Sequence, residues 1–450
     1  MRINLKMMLI ACIALSMGFA SCSSNDEPDV TGNKKDNGEP TYVTLALSFP
    51  KSETSQLRAT NDPVATEAEA KINTVDVFIY TADGGHFLSH KHLSATDFTQ
   101  SDGLDKYVLK STTKIETTTG ERRVFVGVNL PSKLINILTN QNNGANEWTQ
   151  KVQTLTGSDL VYPDSEGDNN IVMTSATTIT HTFVVDETQN SLEIPVKRAV
   201  AKLTVQMGRP MIQEGVPGKL GSLSFAINNF NERSFLVQPA DKKDSNWAIG
   251  SYVAGEFSQA SANDYILVND SLITDVKQLK ALYAAENTSE GHTKREITRV
   301  TIRATFIPTN ETVLNAGNYV EAPSGKTAPE TFYTVTVYNP NPEIKCFYSK
   351  DTADAYKAKV SSDGITSSEV VTYANGLCYW DLFPNKNVWD VIRNDFYRST
   401  ISRIIVPGRS TPTIPDDELP NVPSSETDIT ITVDVIPWDE VFWDDYVLEP

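Results

Sequence analysis

The sequence predicts an all-β protein built from antiparallel strands in a sandwich or barrel. Short segments in which apolar and polar residues alternate recur along most of the chain, and many are rich in Val, Ile, Thr, Phe and Tyr. Clusters of Gly, Asn, Asp and Pro separate these segments, and helical patterns are few. Many short strands joined by turn-rich links are typical of this fold class.

Composition bounds the kind of protein that the chain forms. It has 450 residues, of which 39% are hydrophobic and 21% charged, so it is long enough for two or three domains with real cores. The formal net charge is -18. Phosphate groups repel such a chain, which excludes nucleic acid as a partner and argues against adsorption to anionic lipid.

The first residues have the pattern of a lipoprotein leader. Arg2 and Lys6 precede an apolar run, Met7 to Gly18, which is too short for a stable membrane helix. Small residues then lead into Cys22, which predicts a signal peptide over residues 1–21 and lipidation of the Cys22 thiol. Membrane attachment would then depend on the acyl chains, and residues 23–40, which are polar and acidic, would form a tether.

One alternating strand is predicted next, from Tyr42 to Phe49. Its inward face would carry four apolar side chains, which are Val43, Leu45, Leu47 and Phe49. Pro50 ends the strand, and residues 51–70 are polar without periodicity, so they are predicted to be a loop. Arg58, followed by Ala59, is a candidate proteolytic site within this loop.

The strand predictions continue along both halves of the chain. In the first half they are Ile72 to Tyr80, Lys106 to Lys110, Arg122 to Leu130, Ile171 to Thr174, Thr178 to Val185, and Ser191 to Val196. In the second half they are Lys202 to Met207, Leu220 to Asn228, Ser234 to Gln238, Tyr265 to Val268, Ile297 to Pro308, Phe332 to Tyr338, Glu343 to Tyr348, Leu377 to Leu382, and Phe396 to Val406. Short helices are expected after Pro131, from Asn146 to Leu155, and from Asp275 to Ala285. Gly and Pro residues between 205 and 218 predict a boundary between two β units.

The C-terminal segment is a second strongly alternating strand, from Asp428 to Ile436. One face carries Ile429, Ile431, Val433 and Val435, and aromatic residues follow after Pro437. A segment this apolar and this aromatic either docks on its own domain or binds another chain.

Few residues indicate bond-making chemistry. The sequence has no nucleophile elbow, zinc-protease motif or phosphate-binding glycine loop, so neither an enzyme nor a cofactor is predicted. His90 and His92 would share a strand face, but a solvated hairpin rim is favoured over a metal site. The acidic loop from Asp164 to Asn169 lacks the regular spacing of a calcium loop. Cys346 and Cys378 either form a disulfide in an oxidising compartment or remain separate buried thiols.

Several motifs in this order resemble the fimbrillins of the Bacteroidia, the FimA and Mfa type. The motifs that carry the resemblance are the leader with Cys22, the Arg58-Ala59 site, Val124 to Pro131, Ile171 to Thr174, Val196 to Leu203, Val391 to Tyr397, and Ile431 to Trp438. The resemblance covers nearly the whole chain.

This resemblance implies two transthyretin-like antiparallel β-sandwich domains, at residues 59–207 and 208–450, after a lipidated tether and removable strand at residues 22–58. It also implies an outer-membrane lipoprotein that an Arg-specific protease cleaves after Arg58. A terminal strand of an identical or related subunit, with Ile429, Ile431, Val433 and Val435 inward, would then replace the lost strand. The fimbriae would bind a host or bacterial surface receptor. The alternatives are a tip or anchor accessory lipoprotein and a surface glycan-binding lipoprotein.

Overall fold

The computed structural model describes the chain from residue 38 to residue 437, with gaps. The described ranges are 38–48, 66–82, 86–101, 106–140, 153–154, 157–163, 169–177, 179–244, 246–248, 257–269, 278–290, 296–384, 389–413 and 429–437. These residues belong to one compact unit, Asp36–Pro450. Within the described ranges, no helix has the length and apolar character that a bilayer-spanning segment requires.

The described residues are mainly β-strands. The strands of the first half are β1 (Pro40–Ser48), β2 (Thr74–Thr81), β3 (Phe87–Ser94), β4 (Phe98–Ser101), β5 (Lys106–Leu109), β6 (Ile115–Thr118), β7 (Gly120–Val128), β8 (Gln153–Thr154), β9 (Val161–Pro163), β10 (Asn169–Ile171), β11 (Met173–Ser175), β12 (Ile179–Phe183) and β13 (Ser191–Arg198). Those of the second half are β14 (Val200–Gly215), β15 (Gly218–Leu220), β16 (Ser224–Asn228), β17 (Phe230–Asn231), β18 (Arg233–Ser234), β19 (Phe257–Ser258), β20 (Ile266–Leu267), β21 (Ala281–Ala285), β22 (Arg299–Pro308), β23 (Asn310–Asn315), β24 (Asn318–Pro323), β25 (Phe332–Tyr338), β26 (Pro342–Phe347), β27 (Thr366–Ser367), β28 (Val371–Tyr373), β29 (Leu377–Leu382), β30 (Asp395–Val406) and β31 (Ile429–Pro437). The α-helices are α1 (Glu67–Ala70), α2 (Ser132–Leu138), α3 (Gly157–Leu160) and α4 (Lys350–Ser362), and 3-10 turns occur at Ala95–Asp97, Glu187–Gln189 and Ala374–Gly376.

Ten strands of the first half of the chain form one large sheet, in which β1 is an interior strand. The strand order is β3-β2-β7-β11-β13-β1-β5-β4, with β12 paired to β7 and β6 paired to β1. Strand β13 turns the corner of this sheet: Ser191 to Pro195 pair with β1, whereas Val196 to Arg198 pair with β11. Side chains from β1, β2 and β7 all enter the same hydrophobic core, so the sheet wraps around that core.

Helix α2 covers the opposite face of β2 and β7. Its buried residues Leu134 and Leu138 pack with Phe78 and Phe125 in a second core cluster. The chain reaches the helix through a tight turn at Asn129, whose φ is 53°. Gly127 permits this turn, because a Cβ there would lie 2.3 Å from Leu130 Cδ1.

The second half contains several smaller sheets. Strands β21-β14-β30-β31 form one sheet, and β15-β22-β16-β20, with β29 on β22, form another. Side chains from both enclose a core that includes Leu203, Phe225 and Tyr397. Strands β25 to β28 form a separate sheet, which packs against α4 around Val335, Phe347 and Val360.

Strands β13 and β14 form an almost continuous ribbon, with only Ala199 between them. The ribbon runs through the predicted boundary at residue 207, and the Gly and Pro residues there accompany a register shift between Met207 and Ile212. The division into two domains, and their transthyretin-like form, therefore remain predictions.

Most of the predicted strands are present, and Phe332–Tyr338 and Leu377–Leu382 have the predicted bounds. The predicted helix after Pro131 is confirmed as α2. The predicted helix from Asp275 to Ala285 is wrong where it is described, because Ala281–Ala285 pairs with β14 as a strand. In the predicted helix from Asn146 to Leu155, only Gln153–Thr154 is described, and it is a strand.

Helices α1, α3 and α4 were not predicted. Residues 67–70 of the predicted loop form α1, which a capping box at Thr66 and Glu69 starts. Helix α4 is capped by the Ser349 hydroxyl, which accepts from Thr352 N. Only Ala353 and Val360 of α4 are buried, so its apolar periodicity is weak.

Leu47→Ala should destabilise the uncut chain. Leu47 is fully buried in the core under β1, and removing a core leucine side chain costs about 2–5 kcal/mol. Urea unfolding measures the loss. The control is Val185→Ala, since Val185 is 64% exposed and its truncation should change the free energy of unfolding by less than about 0.5 kcal/mol. Equal effects of the two substitutions would contradict the placement of β1 in the core.

Candidate functional site

The first part of the site is the slot that β1 occupies. Ala46, Leu47 and Ser48 pair in parallel with β13 on one side and antiparallel with β5 on the other. The earlier residues Pro40 to Val43 pair with β6. Val43, Leu45 and Leu47 are buried in the core, as the sequence pattern predicts, whereas Tyr42 and Thr44 face outward. Removing β1 would therefore empty a two-sided slot with an apolar floor.

Asn190, just before β13, holds the start of β1. Its Nδ2 donates to Thr41 Oγ1 at 2.9 Å, to Tyr42 O at 3.1 Å and to Val184 O at 2.8 Å, and its Oδ1 accepts from Val184 N. The Thr41 hydroxyl in turn donates to Val184 O at 2.8 Å. Asn190 and Thr41 are both buried, so water cannot replace these bonds while β1 is in place.

The second part is a buried polar joint where β13 passes into β14. Glu69 of α1 pairs with Lys202 Nζ at 2.8 Å and accepts a 2.8 Å hydrogen bond from the Tyr283 hydroxyl. The backbone carbonyl of Glu69 also accepts from Arg198 Nε at 3.2 Å. One residue of α1 therefore holds both ends of the joint. Burial lowers the pKa of the Lys202 ammonium group, and Glu69 opposes this shift.

The backbone at the joint is also fully engaged. Arg198 N donates to Asn394 Oδ1 at 3.1 Å, Ala199 N donates to Val172 O at 2.8 Å, and Val200 O accepts from Asn394 N at 2.9 Å. The residues from Arg198 to Lys202 are all buried. The joint is thus part of the packed interior and has no exposed linker.

The motifs that resemble the fimbrillins fill structural positions around this joint. Asn129 Oδ1 accepts from Asn73 N, and its Nδ2 donates to Lys71 O and Ile171 O, which ties the segment before β2 to β7 and β10. Arg393 Nε pairs with Glu286 Oε2 at 3.1 Å, with both side chains buried. The Tyr397 hydroxyl accepts from Ile392 N. These residues stabilise the fold.

Asp244 lies in a neighbouring acidic network. It accepts from Thr288 N and Asn246 N, each at 2.7 Å. Burial raises the pKa of the Asp244 carboxyl to about 7, and the nearby carboxylates of Glu286 and Asp390 add to the shift.

Strand β31, which contains the predicted donor residues, pairs antiparallel with β30 along Ile429–Pro437. Within the described part of the chain it is the edge strand of its sheet, with one paired neighbour where β1 has neighbours on both sides. The structure places β1 and β31 in different sheets.

Four predicted site residues, Cys22, Phe49, Arg58 and Ala59, lie outside the described residues. The cleavage and lipidation predictions therefore stay predictions. Thr66 is the first residue described after the segment that holds Arg58, and Glu69 follows it within α1. Sequence reasoning missed Glu69, although the Thr66-x-x-Glu69 capping pattern was a usable signal.

The remaining candidates have structural surroundings. Cys346 and Cys378 are free, buried thiols, and burial raises the pKa of each to about 12. His90 Nε2 and His92 Nδ1 both lie 2.8 Å from Asp76 Oδ1. These histidines belong to β3, which follows β2 and pairs with it antiparallel, and the His92 side chain is exposed. Among the described residues, no group of three or more His, Cys, Asp or Glu is placed to hold a metal ion.

One known protein family matches the part of the chain that contains the β1 slot. Residues 41–209 match the family described as major fimbrial subunit protein (FimA). This part of the chain is therefore similar to the FimA family. The match runs from β1 to the middle of β14, so it includes the slot and the joint. The resemblance to fimbrillins that the sequence predicted is confirmed.

Solved structures of adhesion and fimbrial proteins are similar to this chain at low identity. A protein described as a cell adhesion protein from Parabacteroides distasonis is 15% identical, with a TM-score of 0.46, covering 89% of this chain and 98% of that one. Another such protein, from Bacteroides eggerthii, is 12% identical, with a TM-score of 0.46 and coverages of 91% and 100%. The tip fimbrial protein Mfa3 from Porphyromonas gingivalis, with a C-terminal truncation, is 15% identical, with a TM-score of 0.38 and coverages of 89% and 100%. No curated protein matches the chain in a sequence search.

The raised pKa of Asp244 should make stability fall as pH rises from 5 to 7. In this range the folded state keeps a proton that an unfolded aspartate, with an ordinary pKa near 3.8, has released. The unfolded state binds fewer protons, so each pH unit lowers the free energy of unfolding by up to about 1.4 kcal/mol. Asp244→Asn should remove this decrease. Urea unfolding of both proteins at pH 5 and pH 7 measures it, and parallel pH profiles would contradict the assignment.

Proposed function

We propose that the chain is a structural fimbrial subunit that polymerises by strand exchange after proteolysis. An Arg-specific protease cleaves after Arg58, β1 then leaves with the tether, and the C-terminal strand of a neighbouring subunit fills the slot. The observation that carries this proposal is the position of β1. It is an interior strand, yet it precedes the candidate cleavage site at Arg58 in the sequence.

The slot would bind an incoming strand by two effects. Burying the side chains of Val43, Leu45 and Leu47 is worth about 1.5–3 kcal/mol each, so a strand of similar pattern gains roughly 5–9 kcal/mol before ordering costs. Once β1 has left, the backbone edges of β13 and β5 are exposed and act as templates for strand addition, which gives affinity through main-chain hydrogen bonds.

The direction of exchange follows from the number of neighbours. Among the strands that the structure describes, β31 has one hydrogen-bonded neighbour, which is β30. In the slot of another subunit it would have β13 on one side and β5 and β6 on the other, in place of β1. Transfer from an edge to an interior position therefore adds backbone hydrogen bonds, which favours the exchanged state.

Such a contact builds a filament. Slot and donor are different surfaces of one chain, so the interaction is heterologous and continues without closing when the rotation does not return to the start. In this proposal the Cys22 lipid holds the precursor at the outer membrane, and cleavage passes the subunit to the cell-surface fimbria. The match of β1 to β14 to a major fimbrial subunit family supports a stalk role.

Arg58→Ala should leave a long, lipidated precursor that forms no fibres. The substitution removes the predicted cleavage residue, so β1 stays in its slot. Mass spectrometry of the extracted N-terminus and electron microscopy of the cells measure both effects. Lys51→Ala is the matched control, because it removes a positive charge from the same segment. Normal fibres from Arg58→Ala cells would show that this cleavage is not the trigger.

Deletion of residues 429–450 should block assembly without unfolding the first sheet. In the residues that the structure describes, β31 pairs with β30 and lies outside the sheet that contains β1, so its loss should leave the core around β1 intact. Fibre formation and urea unfolding are the two measurements. The matched control deletes residues 438–450 and keeps β31, so loss of fibres in both variants would extend the donor beyond Pro437. Fibres from the 429–450 deletion would contradict the assignment of the donor.

A further inference from the structure

The Asn190 contacts assign a specific requirement to any strand that fills the β1 slot. When β1 leaves, Asn190 Nδ2 loses two of its three acceptors, Thr41 Oγ1 and Tyr42 O. Any incoming backbone supplies a carbonyl in the place of Tyr42 O. Only a side-chain acceptor can replace Thr41 Oγ1, and it must also donate to Val184 O, as the Thr41 hydroxyl does. A serine or threonine meets both conditions at once.

The C-terminal strand contains such a hydroxyl at the matching distance. Strand β1 follows the pattern Thr41-x-Val-Thr-Leu-x-Leu-x-Phe49. The C-terminal segment follows Thr427-x-Ile-Thr-Ile-x-Val-x-Val435, with the same threonine spacing and the same four apolar positions. Aligned in this way, Thr427 takes the place of Thr41, and Ile429 takes the place of Val43.

We propose that Asn190 sets the register of strand exchange by donating from its Nδ2 to the Thr427 hydroxyl oxygen of a neighbouring subunit, in the place of Thr41. This inference rests on the proposed strand exchange. The donor then runs parallel to β13, as β1 does, and places Ile429, Ile431 and Val433 in the pockets of Val43, Leu45 and Leu47.

Neighbouring registers fail one of the two conditions. A one-residue slip turns the apolar face of the donor outward. A slip of two residues in one direction places Ile429 against Asn190, where no hydroxyl is then available. A slip of two in the other direction supplies Ser425 to Asn190 but places Thr427 in the apolar pocket of Val43. A single register fills the pockets and satisfies the buried amide together.

Charge at the far end of the slot agrees with this register. Ser48 is paired with Lys106 of β5, whose Nζ also forms a 2.7 Å ion pair with Glu193 of β13, and Asp434 takes the position of Ser48 in the aligned donor. An aspartate directly opposite a lysine on an antiparallel pair is favourable.

Thr427→Val tests the proposal, because valine keeps the shape of threonine and removes only the hydroxyl. Thr432→Val is the matched control, since Thr432 takes the outward position of Ala46. The full chain is cleaved with an Arg-specific protease, fibre growth is followed by light scattering, and the fibres are then dissolved in increasing urea. Thr427→Val should assemble more slowly and dissolve at lower urea than wild type, Thr427→Ser should restore both properties, and Thr432→Val should behave as wild type.

Two outcomes would overturn the inference in distinguishable ways. Fibres of Thr427→Val that form and dissolve as wild type does would refute the role of Asn190 in register but leave strand exchange standing. Thr432→Val fibres that are weakened as much as those of Thr427→Val would refute it too. Cleaved wild-type protein that forms no fibres would refute the proposed function, and the register role with it.

Discussion

One interior strand, β1, links the two parts of the large sheet in the first half of the chain. Strand β1 pairs with β13 on one side and with β5 and β6 on the other, and its inward side chains fill the core beneath. An interior strand satisfies both of its backbone edges and has no exposed template for other chains. The same position makes its loss consequential, because removal would expose two edges and an apolar floor at once.

The polar joint explains why removing β1 need not unfold the rest. Glu69 ties α1 to Arg198 and Lys202 by contacts that do not involve β1. Buried ion pairs contribute little net stability but strongly penalise the loss of either partner, so they fix one arrangement. The joint would therefore keep the chain after residue 66 attached to the ribbon of β13 and β14 if the slot changed occupant as proposed.

Period-two patterns predicted most of the fold. Strand β1 was readable because its inward residues alternate with outward ones, and burial of Val43, Leu45 and Leu47 confirms the predicted face. Ala281–Ala285 was misread as a helix because its three alanines and its leucine favour helices, and pairing with β14 overrides this propensity.

The site residues were harder to predict, because they depend on contacts between distant parts of the chain. Glu69 contacts Lys202, which is 133 residues away, and Tyr283, which is 214 residues away. No local sequence spacing predicts such pairs. Asn190 was missed for the same reason, since its partner Thr41 lies 149 residues away. Only a local signal such as the capping box can be read from sequence without the fold.

Hydrogen exchange at the amides of β13 and β5 that face β1 is a direct test of whether β1 leaves its slot and a donor strand replaces it. The uncut chain, the cleaved subunit and assembled fibres would be compared at the same residues, chiefly from Ser191 to Pro195 and from Lys106 to Val108. If strands are exchanged in this slot, these amides are strongly protected from exchange in the uncut chain, lose protection when β1 departs, and regain it in fibres. Protection that survives the departure of β1, or that does not return on assembly, would contradict this exchange.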